Sequence, residues 1–249
     1  MQNLLTPRDK AIFLAATASH SGAWLSALPI AACGLRLDDE AVRVEVALRL
    51  GLQLCVAHEC RCGAKVDCWG LHAMVCKEAP ARLTRHYAVN DTTARALTSA
   101  GVPVTKEPLG ILRTDGKRPD GLTLVPWQGG KALTWDATIV TTLAESYLSS
   151  SSTSAGSASE LAAAKKIEKY ADLSAEYLFQ PIALESLGPV NNSSKAFVAE
   201  LGRRISLISG EAKEELFLWQ RLSVCLQRYN SILLHQSFAE PVEEPDLYL

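Results

Sequence analysis

The chain is 249 residues long, 48% hydrophobic, and carries a formal net charge of −2. That length holds one large domain or a small one with appendages, and the apolar content is ample for a core. The charge excludes a uniformly basic coat, so any nucleic-acid contact must come from local clusters such as Arg113, Lys117 and Arg118, or Lys165, Lys166 and Lys169. No apolar run reaches the roughly 18 residues of a membrane span. The start, Met1-Gln-Asn-Leu-Leu-Thr-Pro-Arg-Asp-Lys10, has no apolar core after a basic head, so no signal peptide is expected. A nuclear or cytoplasmic location is therefore expected, where thiols stay reduced.

Residues 8–19 read as a helix, broken at Ser19-His-Ser-Gly22, and a short apolar segment stops at Pro29. Asp38 or Asp39 is suited to cap a second helix, on which Val42, Val46 and Leu50 recur every four residues as its apolar stripe. Cys55, Cys60, Cys62, Cys68 and Cys76, five of the chain's seven cysteines, then crowd around His58 and His72. In a reducing compartment that density points to metal rather than disulfides. Cys60-x-Cys62 followed by His72-xxx-Cys76 has the form of a compact zinc knuckle, and the four-residue spacing puts His72 and Cys76 on one face of a helical turn. Cys-x-Cys is a tighter bite than the usual Cys-xx-Cys, so Cys55, His58 or Cys68 can stand in for one ligand. Such a closed four-ligand site is structural, with no open position for a reacting water.

Residues 80–100 read as a helix with Leu83, Tyr87, Asn90, Ala94 and Leu97 along one face and Arg82, Arg85, His86 and Arg95 as a basic side. Gly101 and Pro103 end it. A strand over 102–107 ends at Glu107, and Asp115-Gly116 marks a turn. Two strands follow, Asp120–Val125 and Lys131–Val140, with Gly129-Gly130 as the hairpin turn between them. Adjacent antiparallel strands can bring Asp120 and Asp136 to one end of a sheet. Two converging carboxylates with a lysine nearby can hold Mg²⁺ or Mn²⁺ and place a water on a phosphodiester. Ser149–Ser157 is low in complexity and reads as a mobile loop. A helix over 158–177 carries Lys166 and Lys169 on one face. A strand over 179–187, helices over 194–208 and 213–234, and a loose acidic tail from Pro241 complete the chain.

The order helix, strand with Glu107, strand with Asp120, strand with Asp136, helix with Lys166 and Lys169, strand resembles the PD-(D/E)xK restriction-endonuclease-like core. That is an α/β fold, a mixed sheet flanked by helices. The residue two beyond Asp136 is Thr138 rather than the family's lysine. A variant of that core moves the lysine to the following helix: the restriction-like endonuclease domain of early-branching non-LTR retrotransposons. This chain resembles it through Cys60, Cys62, His72 and Cys76, then Arg118-Pro119-Asp120, then Trp135-Asp136-Ala137-Thr138, then Lys166-Ile-Glu-Lys169-Tyr170, in one order across residues 55–190. The segment Ser21–Pro29 resembles the stretch that links polymerase to nuclease in such elements.

The resemblance implies four segments: a helical linker over 1–54, a knuckle over 55–80, an endonuclease core over 81–192, and C-terminal helices with the acidic tail over 193–249. It implies a metal-dependent DNA endonuclease with structural Zn²⁺ and catalytic Mg²⁺ or Mn²⁺. Asp120 and Asp136 would hold the catalytic ion, with Glu107 as a third acid. Lys166 or Lys169 would orient the attacking water, and Arg118, Arg85 and His86 would hold phosphates. DNA, or alternatively RNA, is the partner, along with a reverse transcriptase supplied elsewhere: no Tyr/Phe-x-Asp-Asp polymerase signature occurs in the 249 residues. The competing reading is a nucleic-acid-binding zinc module with its cleavage lost, from a decayed or domesticated element.

Overall fold

A computed structural model of the chain describes residues 5–111 and 118–238, with only the backbone at Ser174. The Asp115-Gly116 turn, Arg113, Lys117 and the acidic tail lie outside the described residues. Helix α1 spans Pro7–Thr17, opened by a capping box between Thr6 and Asp9, with Pro7 at its first position. A short 3-10 turn over Ala23–Ser26 carries the buried Trp24, whose backbone N–H donates to Ser223 Oγ at 3.2 Å. Helix α2 spans Asp39–Leu50, and the Asp38 carboxylate accepts from Ala41 N at 2.6 Å.

The expected stripe on α2 faces outward: Val42, Val46 and Leu50 are 40, 38 and 64% exposed. The helix instead buries Ala41, Val44, Ala47 and Leu48, together with Glu45. Two apolar stripes run along this helix. The one with alanines allows the closer approach to its neighbours, and periodicity alone does not rank them.

Strands β1 (His58–Glu59) and β2 (Lys65–Val66) form a small antiparallel pair, followed by helix α3 (Leu71–Val75). Helix α4 (Ala81–Ser99) buries Ala81, Arg85, Val89, Asn90, Ala94 and Leu97, whereas the expected Leu83 and Tyr87 are exposed. Next come β3 (Val104–Lys106), β4 (Gly121–Thr123) and β5 (Leu133–Val140). Gly129 and Gly130 take φ of 58° and 78° at the turn closed by the Gln128–Lys131 bridge, a conformation that glycine adopts without cost.

The serine-rich run is a loop only over residues 152–156, and its two ends are helical. Helix α5 spans Glu145–Ser151, and Gly156 precedes α6 (Ser157–Lys169). Hydroxyls bond back to the backbone there, as Ser152 Oγ does to Ser149 O at 2.9 Å, and Ser151 and Ser159 are buried. Helix α6 stops eight residues before the expected 177. The buried Tyr170 turns the chain inward, and a 3-10 turn over Ala171–Ala175 follows. Strand β6 (Leu178–Glu185), helix α7 (Asn192–Ser209) and helix α8 (Glu214–His235) close the fold.

The larger sheet has the order β3-β4-β5-β6, antiparallel except for the parallel β5–β6 pair, whose crossover contains α5 and α6. This is a mixed sheet flanked by helices. On one face Leu133, Trp135, Ala137, Ile182 and Leu184 pack against α4, α7 and α8. On the other, Ala183 meets Ala162 and Ala163 of α6. A second core joins α1, α2 and α3 to Leu233 and Leu234 at the far end of α8. The four segments expected from sequence therefore do not own separate cores: the first and last share one.

Candidate metal centre and candidate active site

Cys60 ends the β1 side of a tight turn in which Cys60 N donates to Ala64 O at 2.8 Å and Gly63 N to Cys60 O at 2.7 Å. Cys62 sits in that turn. His72 lies on α3, and Cys76 caps it, its N–H donating to His72 O at 2.8 Å. One donor atom from each of Cys60, Cys62, His72 and Cys76 lies within 4.8 Å of all the others. Cys60 Sγ and Cys76 Sγ are 3.8 Å apart, and Cys62 Sγ is 3.1 Å from His72 Nε2. Two thiolates about 2.3 Å from a tetrahedral ion stand about 3.8 Å apart. The four therefore form a group that can hold a metal ion, and three sulfurs with one imidazole suit zinc.

Burial pushes the Cys60 thiol up to about 11, while the Ala64 backbone hydrogen bond draws Cys62 down. The cost of ionising a buried thiol is one that a bound cation offsets. The substitute ligands left open by the spacing are engaged elsewhere. His58 Nε2 is 2.8 Å from Ser237 Oγ and its ring stacks on Phe238. Cys55 Sγ lies 3.5 Å from Asp67 O, and neither Cys55 nor Cys68 joins the group.

The second cluster begins with a packing constraint. Gly121 lies opposite Trp135 across β4 and β5, and a Cβ there would stand 2.0 Å from the indole Cζ2. Only glycine lets the buried Trp135 lie flat on this strand. The indole Nε1 donates to Asn90 Oδ1 on α4 at 2.7 Å, and Asn90 Nδ2 reaches Asp120 O at 3.4 Å. Tryptophan and asparagine thus lock α4 to both acid-bearing strands. One turn before Asn90, His86 is held against the sheet end, its Nε2 3.0 Å from Asp120 Oδ2. The same oxygen accepts from Ala137 N at 2.6 Å. Hydrogen bonding to Asp120 raises the His86 pKa above its usual range, despite the opposing effect of burial.

Asp136 is only 3% exposed. Lys166 Nζ donates to its Oδ1. The Tyr170 hydroxyl stands 2.5 Å from its Oδ2 and 3.0 Å from Arg118 O. Lys169 Nζ lies 4.0 Å from that Oδ2 and 3.0 Å from the Tyr170 hydroxyl. Ligand atoms of His86, Asp120 and Asp136 all lie within 4.8 Å of one another. The structure thus brings together Asp120, Asp136, Lys166, Lys169 and His86.

Three expected residues are placed differently. Glu107, with φ of 47°, donates its N–H to Asp120 O, but its carboxylate turns to Arg118 at 2.9 Å and stays out of the ligand group. Arg118 is therefore already paired with an acid. Arg85 is 3% exposed, and its NH1 donates to Asn230 on α8 at 3.1 Å. Burial draws it down to about 10, and it faces the core rather than a ligand surface. The four-residue step from Arg82 to His86 does not show that Arg85 points inward.

Sequence reading gave His86 a phosphate, and the structure turns it toward Asp120. Asn90 and Tyr170 were read only as a helix-face residue and as the end of a motif. Polar Asn90 on the apolar side of α4 is the signal that could have marked it as a tether.

No protein-family model matches the chain, and no curated protein matches it. Among the described residues no helix is long and apolar enough to cross a membrane.

Proposed function

We propose that this chain is a divalent-metal-dependent DNA endonuclease with a PD-(D/E)xK restriction-like core, of the kind found in early-branching non-LTR retrotransposons. The observation that carries the reading is the convergence of Asp120 at the entry to β4, Asp136 on the adjacent β5 and Lys166 on the following helix. The helix–strand–strand–strand–helix–strand order with a parallel last pair supports it.

The donor set fits Mg²⁺ or Mn²⁺, since Asp120 and Asp136 present carboxylate oxygens side by side. When bound, such an ion supplies Lewis acidity at a phosphodiester. The chain's own residues do the rest. Tyr170 and Lys166 fix the Asp136 carboxylate from both sides. Ala137 N fixes Asp120. Lys166 and Lys169 supply positive charge where the phosphate becomes more negative, and Lys166 is the better placed to orient water beside Asp136. Arg118 takes a phosphate by exchanging its Glu107 partner for it. Glu107 then acts on Arg118 and not as a metal ligand. Cys60, Cys62, His72 and Cys76 hold Zn²⁺ in a structural role beside α8. A reverse transcriptase is the partner that would use the 3′ hydroxyl left by the nick.

The test is nicking of supercoiled plasmid by the purified chain with Mg²⁺ or Mn²⁺, beside Asp120→Ala. Nicking by the parent and none by the variant is the expected result. No nicking by either, with DNA still bound, would sink the enzyme and leave a nucleic-acid-binding zinc module.

A further inference from the structure

His86 was expected to touch a phosphate, yet its Nε2 points inward at Asp120 Oδ2, 3.0 Å away. The ring is not there by chance contact. Its helix is fastened one turn later by Asn90 to the Trp135 indole at 2.7 Å. That fastening uses neither Asp120 nor Asp136 side chains, so His86 keeps its place whatever occupies the cluster. A ring nitrogen of His86 lies within 4.8 Å of a carboxylate oxygen of both acids. Three donors, from α4, from the residue just before β4 and from β5, therefore meet at one point, and the His86 and Asp120 side chains keep 27 and 15% of their surface exposed. An ion there has protein on one side and room for solvent or phosphate oxygens on the other.

We propose that His86 is the third ligand of the Asp120–Asp136 site, and that its one nitrogen makes the site select Mn²⁺ over Mg²⁺. This rests on the assignment of Asp120 and Asp136 as ligands in the proposed function, and adds the identity of the ion. Mg²⁺ is a hard cation that takes oxygen donors and keeps its waters. Imidazole nitrogen suits transition metals, and of the two ions that the carboxylates fit, Mn²⁺ is the transition metal. On binding, the nitrogen lone pair goes to the ion, and the proton that Nε2 shares with Asp120 leaves to solvent.

His86 Nδ1 is buried with no hydrogen-bond partner among the described residues. The ring therefore lacks the outer acceptor that usually strengthens a histidine ligand, and its contribution belongs at the lower end of the range. Loss of an outer-shell partner already costs about 10–100-fold in affinity, so loss of His86 itself should cost about tenfold or more.

The test is electron paramagnetic resonance of the zinc-loaded full chain titrated with Mn²⁺, then back-titrated with Mg²⁺. Spin-echo modulation reads any directly bound nitrogen. The parent is expected to bind one Mn²⁺ with an imidazole nitrogen signal, and to need at least about tenfold more Mg²⁺ to displace it. His86→Gln should lose the nitrogen signal and weaken Mn²⁺ about tenfold. His86→Asp, a second variant that keeps a ligand there, should lose the signal yet bind Mg²⁺ better than the parent. Mn²⁺ bound without nitrogen modulation, or a signal that survives in both variants, overturns the proposal. Absence of Mn²⁺ binding in the parent overturns it as well. The plasmid assay separates this from the nuclease reading. Nicking with equal use of Mg²⁺ and no nitrogen signal sinks only the His86 assignment. A nitrogen signal without nicking sinks only the nuclease.

Discussion

The Cys60–Cys76 cluster hangs on two strands of 2 residues each and a helix of 5, whereas the Asp120–Asp136 cluster stands on an 8-residue strand backed by the fully buried Trp135. In the first, ligands are close in sequence, and the core of the β1–β2 turn is only Cys60, Val66 and Cys76, with Ala73 and Met74 of α3 joining the second core. In the second, ligands come from distant parts of the chain and twenty buried residues hold the platform before any ion arrives. An ion held by the first group would complete its packing, whereas the second stands on a core already built. Metal therefore enters the energetics of the two regions at different steps.

The largest expected effect separates them directly. Chelation should unfold residues 55–76, since structural zinc binding in small peptides is worth about 10–16 kcal/mol near neutral pH. Hydrogen exchange should then lose protection at β1, β2 and α3 while β5 keeps it. Loss at both together would break the comparison. Next in size, Trp135→Ala should cost about 3–5 kcal/mol by denaturant unfolding. It should also abolish nicking while zinc content stays at one per chain, because it removes the platform and no ligand.

Glu45 is a smaller and pH-dependent case. It is buried on α2, on the side that carries Val44 and Leu48 into the second core, and burial raises its pKa well above the usual range. A carboxyl whose folded pKa is raised contributes its full stability below the unfolded pKa and loses it as pH rises through the folded value. Glu45→Gln should therefore leave the melting temperature unchanged near about pH 4 and raise it by a few degrees at about pH 8. A gain that grew toward acid instead would show that Glu45 is ionised in the fold.

The smallest effect lies on the sheet side. Glu200 on α7 is drawn down to about 2, chiefly by its hydrogen bond to Arg203, with Arg204 adding to it. This pair is largely exposed, so Glu200→Gln should cost no more than about 0.5 kcal/mol at neutral pH. A depressed carboxylate holds its contribution above the unfolded pKa and loses it as pH falls, so the difference should vanish toward pH 2. Acid titration of the melting temperature reads this directly.

The juxtaposition of Asp120 with Asp136 was legible because a glycine pair between two β-patterned runs dictates a hairpin, and a hairpin fixes register. The three cysteines and His72 were legible because thiols and imidazoles crowded into so short a stretch in a reducing compartment have few other uses. What stayed hidden depends on side-chain direction rather than spacing. Alanine-rich α2 offers two apolar stripes, and only the packing against α8 chooses between them. Arg85 looks like any basic residue of a helix until Asn230, far along the chain, turns out to receive it. Serine-rich segments read as loops by composition, yet Ser150 Oγ donates back to Tyr147 O and α5 runs through four serines. The end of α6 depends on Tyr170 reaching a carboxylate on another element, which no local propensity encodes.

Helix α8 gives Leu218, Trp219 and Leu222 to one core and Leu233 and Leu234 to the other. During synthesis this shared beam emerges well after both regions that it joins. The α1–α2 pair and the cysteine turn, made near the start, must wait for it through roughly 200 residues of translation, about 10–40 s at ordinary speeds. For that interval their shared core lacks the side that Leu233 and Leu234 close, and a chaperone that shields nascent chains has its longest task here.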